Sequence, residues 1–149
     1  MLLAALLLLQ TAPAAPQCTA IDTGLAANLS GWTAPGGELG VNKAARLQAG
    51  EVSKFRDVPA GAKPGGAVMI GFKVETAGRY GIALDQRGWI DVVPGASGGE
   101  ALKSVAHGHG PACSTIRKIV RFDLQPGLYR LYLTGLDLPD AKVMLVADD

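Results

Sequence analysis

Charge is scarce in this chain, and so are the side chains that most often carry chemistry. Asp, Glu, Lys and Arg together make up only 18% of its 149 residues, and the formal net charge is +1. That balance excludes a nucleic-acid surface, which needs clustered Lys and Arg to neutralise phosphates. No basic amphipathic run is present, so no segment is built to lie on a membrane surface. The apolar run Leu2 to Leu9 falls well short of the about 20 residues needed to span a bilayer. Long helical periodicity is missing. So are a Ser, His and acid set at motif spacing, a phosphate-cradling loop and a paired zinc motif. Histidine and cysteine number two each.

Turn formers, in contrast, are plentiful: 20 glycines and nine prolines. They break the apolar runs at intervals of about eight to twelve residues, the rhythm of an all-β sandwich or barrel. A chain of this length forms one domain with a real core, needing no metal to hold it together.

Residues 1–14 have the form of a signal peptide. Leu2 to Leu9 is followed by Ala12, Pro13 and Ala14, the small-x-small pattern read by signal peptidase, with cleavage after Ala14. The segment departs from the pattern in having no Lys or Arg before the apolar run. Residues 15–149 are then a single exported domain, periplasmic or secreted. In an oxidising compartment the two cysteines are expected to pair as Cys18–Cys113; the alternative is two free thiols acting as metal ligands.

Strand signals dominate the rest. Ala44 to Ala49 and Glu51 to Val58 read as short edge strands, and Val68, Ile70, Phe72 and Val74 alternate on one face. An internal repeat then stands out. Gly78, Tyr80, Ile82 and Leu84 match Gly127, Tyr129, Leu131 and Leu133 at a fixed offset, each set preceded by a strand ending in Val74 or Leu124. Each copy is expected to be a hairpin that opens on an inward tyrosine, with one hairpin in each of two facing sheets. With Trp89 to Val93, Ile116 to Leu124 and Ala141 to Ala147, about nine strands result, and the fold class is an antiparallel β-sandwich of jelly-roll type. Lys118 falls on the inward parity of its strand, which calls for a partner, and Asp91 is the candidate. Trp32 is either a core anchor for a loose lead-in segment or a ligand-stacking platform.

The reactive groups gather in Val105 to Lys118, VAHGHGPACSTIRK, a glycine-broken loop holding both histidines and Cys113. In extended backbone His107 and His109 face the same way and could offer two imidazoles to one copper, zinc or iron ion, with Asp91 or Glu100 as a third ligand. If His, His and Asp converge, the set would be a facial triad with open positions for oxygen chemistry. The other reading has both imidazoles solvated, or one bonded to backbone. Trp89 and Lys118 are candidate ligand contacts beside the loop.

The recurring Gly-x-Tyr-x-aliphatic pattern over residues 68–147 resembles the sandwich modules at the ends of secreted bacterial proteases (pre-peptidase C-terminal domains) and carbohydrate-binding modules. WIDVV, SVAHGHGPAC, IRK and GLYRLYL are similar to a family of short exported bacterial proteins, some of which carry the label homogentisate 1,2-dioxygenase. That label implies iron held by two histidines and a glutamate in a much longer cupin enzyme. This chain lacks the cupin spacing of His-x-His followed by Glu and a distant third His. Two functions follow: an exported non-catalytic module presenting the histidine loop to a metal ion, glycan or envelope protein, or a small metal-dependent dioxygenase.

Overall fold

A computed structural model describes residues 11–13 and 17–148. Apart from residues 11–13, the expected signal peptide and its cleavage site lie outside the described residues. Among the described residues nine strands form: β1 (Ala44–Gln48), β2 (Gly50–Glu51), β3 (Gly66–Val74), β4 (Gly78–Leu84), β5 (Trp89–Pro94), β6 (Ala106–His109), β7 (Lys118–Leu124), β8 (Gly127–Leu136) and β9 (Asp140–Ala147). They build two antiparallel sheets, in the orders β1-β9-β4-β7-β6 and β2-β3-β8-β5. The all-β sandwich read from glycine spacing is therefore the architecture. Among the described residues no helix is long and apolar enough to cross a membrane.

The alternating aliphatics do what their parity demands. Val68, Phe72 and Val74 of β3 meet Ile82 and Leu84 of β4, Phe122 and Leu124 of β7, and Leu131 and Leu133 of β8 in one core between the sheets. A fully buried Leu or Ile contributes roughly 1.5–3 kcal/mol, so this layer is the main source of stability.

The repeat, however, does not make two hairpins. β3 pairs with β8, and β4 pairs with β7, so the strands of each copy bond to those of the other. The connections between Val74 and Gly78 and between Leu124 and Gly127 cross from one sheet to the opposite one. The tyrosines explain why. The Tyr80 hydroxyl donates to the Thr76 carbonyl at 2.6 Å, while the Tyr129 hydroxyl donates to the Gln125 carbonyl at 2.7 Å and accepts from its N–H at 2.9 Å. Each buried hydroxyl caps backbone groups that the crossing leaves outside both ladders, a device of the tyrosine-corner kind.

A second correction concerns residues 51–58, where only Glu51 belongs to a strand; Val52–Lys54 form a short 3-10 turn. Asp57 takes a positive φ of 54° and Pro59 lacks an N–H, so neither continues a ladder.

Trp32 is the anchor of the lead-in segment, with none of its surface exposed. Together with Leu29 it packs on the outer side of the larger sheet against Ala83, Ile116, Ile119, Met144 and Val146. Its indole N–H donates to the Thr115 hydroxyl at 2.9 Å. Beside it the expected disulfide Cys18–Cys113 is formed, with Cα atoms 5.4 Å apart.

Candidate functional site

His107 and His109 sit not in a loop but on β6, the edge strand of the larger sheet, opposite Val120 and Lys118 of β7. Opposed residues of an antiparallel pair share a face. Val120 points into the core, so both imidazoles and the Lys118 side chain turn toward the space between the sheets. There the sandwich is open, because β6 and β5 are edges of opposite sheets. A cleft of about 660 Å³ fills this opening. Its wall carries His107 and His109 from β6, Arg117 and Lys118 from the start of β7, and Arg87, Trp89 and Ile90 at the start of β5.

Several contacts fix this geometry. A Cβ at Gly110 would overlap the carbonyl of Ile116, so glycine is what lets the chain leaving β6 pass this close to the start of β7. The Asp22 carboxylate accepts from the Thr115 N–H at 2.7 Å and from its hydroxyl at 2.5 Å, and the Asp22 N–H donates to the Cys113 carbonyl at 2.9 Å. With the disulfide, these bonds clamp residues 110–116. The Arg117 N–H donates to the Leu84 carbonyl at 2.8 Å, anchoring the next residue to β4.

The electrostatics of the cleft are one-sided. Among the described residues three cations and two imidazoles line it, and no carboxylate does. The five ion pairs among the described residues join Lys43, Arg46, Lys73, Arg79 and Arg121 to acids elsewhere, so Arg87, Arg117 and Lys118 enter none. Lys118 is half-buried and donates to the Gly88 carbonyl at 2.7 Å, while its burial pushes the ammonium pKa down.

Asp91 is neither the partner of Lys118 nor a neighbour of the histidines. It alternates on β5 with Ile90 and Val92, which enter the core, so its carboxyl turns to the outer face of the smaller sheet. There one oxygen accepts from the Trp89 indole N–H at 3.2 Å, and the other has no hydrogen-bond partner among the described residues. Burial raises the Asp91 pKa, opposed in part by the Trp89 hydrogen bond and by the charge of Lys63. Glu100 lines a separate cavity of about 460 Å³ with Asp57 to Gly61 and Gly98 to Ala101. No group of three or more His, Cys, Asp or Glu able to hold a metal occurs among the described residues. Two imidazoles without a carboxylate do not fit the facial triad of a non-haem iron centre.

Of the two residues singled out as ligand contacts, Lys118 stands beside the histidines; Trp89 borders the cleft, but its indole lies on the outer face of the smaller sheet, bonded to Asp91 and covered by Lys63. Arg87 was missed; it lies in a polar turn, Asp85 to Gly88, that no periodicity marks. Comparisons with protein-family models, with curated proteins and with solved structures found no match.

Proposed function

We propose that this chain is an exported, non-catalytic β-sandwich binding module whose binding face is the open edge between β5 and β6. One observation carries this reading: His107 and His109 project from the same face of an edge strand into a cleft that also holds Lys118 and is bordered by Arg87 and Arg117. A concave opening lined by the apolar Ile90 and Val120 with a few convergent polar groups is what a ligand site requires. Export is supported by the leader-like residues 1–14 and by the Cys18–Cys113 bond, which persists in oxidising compartments. The dioxygenase reading needs a carboxylate beside the imidazoles, and the binding reading needs none.

The test is amide chemical-shift mapping of the oxidised protein with zinc, copper, ferrous iron, and neutral and acidic oligosaccharides. At least one probe is expected to shift the amides of Gly88 to Ile90 and Ala106 to His109. If every probe leaves those amides unmoved, the cleft is not a binding face.

A further inference from the structure

We propose that the cleft between β5 and β6 is an oxyanion site, taking a sulfate, phosphate or carboxylate group on Lys118, Arg87 and Arg117 with His107 and His109 beside it. The inference rests on the binding-module reading and names the chemistry of its ligand.

Charge placement is the first argument. In a chain of net charge +1, three cations converge on one cleft whose wall holds no acid, and none of the three takes part in an ion pair among the described residues. Charges of one sign along a concave, low-dielectric wall focus the field and concentrate counter-ions. The second argument is Lys118 itself. It comes from a strand whose next inward residues are Val120 and Phe122, and among the described residues its one acceptor is the Gly88 carbonyl. An ammonium has three protons, so this bond leaves two free. A half-buried cation without a counter-charge is costly, and a bound oxyanion supplies both the charge and the missing acceptors. The exposed Arg87 and Arg117 guanidiniums add planar donor forks suited to sulfate, phosphate or carboxylate. The same three cations repel a metal dication, which separates this inference from chelation by the two imidazoles.

The oxyanion is either a free ion or a group carried on a polymer. Isothermal titration of the oxidised protein with sodium sulfate, sodium phosphate, a sulfated oligosaccharide, its desulfated counterpart and zinc chloride tests the proposal. The sulfated oligosaccharide is expected to bind at least tenfold more tightly than the desulfated one, with sulfate competing. Free sulfate binding as well as the oligosaccharide would identify the small ion as ligand, within the same proposal. Lys118→Met should weaken anion binding about tenfold, the loss expected for one charge-assisted hydrogen bond. Arg87→Gln with Arg117→Gln should do at least as much, and because both side chains are exposed this variant leaves the fold intact. Anion binding that survives all three changes overturns the proposal. So does equal binding of the desulfated oligosaccharide, or zinc uptake without anion uptake, and in both of these cases the binding module stands. Silence with every probe overturns both.

Discussion

Asp91→Asn should make the protein more stable at neutral pH. Asp91 is 7% exposed, and among the described residues its sole side-chain hydrogen bond comes from Trp89 and its second oxygen faces no donor. A buried polar atom left unpaired costs roughly 1–3 kcal/mol, more when charged. Asparagine keeps the acceptor for the indole N–H and removes the charge, at the cost of an amide N–H₂ in the same place. A net gain of about 1 kcal/mol at pH 7 is expected, about a fivefold shift of the folding equilibrium. The pH dependence follows from the direction of the shift. The folded-state pKa is raised, so the folded protein holds the proton more firmly than the unfolded chain. The wild-type carboxyl is then harmless below its ordinary unfolded value of about 3.9, and stability is lost as pH rises through the higher folded value. Urea unfolding of both proteins at pH 7 and pH 3.5 measures this, with the difference between them cancelling the other carboxylates. The midpoint of the variant should lie roughly 0.5 M higher at pH 7 and coincide with wild type at pH 3.5. A variant less stable at pH 7, or a gain of equal size at both pH values, would refute the account of Asp91 as a desolvated, half-bonded carboxylate.

Replacing Cys18 and Cys113 by alanine opens a cross-link spanning 95 residues, for which chain entropy gives a loss of about 4.7 kcal/mol; calorimetry should show the melting temperature falling by roughly 15 °C. Tyr129→Phe should cost roughly 2 kcal/mol and Tyr80→Phe roughly 1, because the first hydroxyl serves two backbone groups and the second only one. Equal losses in chemical denaturation would mean that the hydroxyls are not what secures the sheet crossings. His107→Ala with His109→Ala changes exposed positions and should move stability by no more than about 0.5 kcal/mol, while altering any ligand response of the cleft in the titrations above.

Much of the frame was legible because β-structure writes a local code. Val68, Ile70, Phe72 and Val74 announce their strand by alternation alone, and the parity that turned Lys118 inward came from the same rule. The shared facing of His107 and His109 was equally a matter of two-residue spacing. Partner choice was not legible. The match between Gly78–Leu84 and Gly127–Leu133 suggested two hairpins, yet the short connections cross between sheets, and the copies interlock through β3–β8 and β4–β7. Nothing in a sequence repeat states which strand lies beside which.

Composition and periodicity by themselves determined an all-β chain with inward tyrosines, because turn spacing and side-chain alternation depend only on neighbours along the backbone. Pairing of the two cysteines followed from their number and the leader-like start. Tertiary structure alone decided that Asp91 turns away from the histidines and that Arg87, Arg117 and Lys118 replace it around the cleft. Those residues are brought together by the edges of two different sheets, and contact across a sandwich is set by the packing of whole layers rather than by any local preference of the chain.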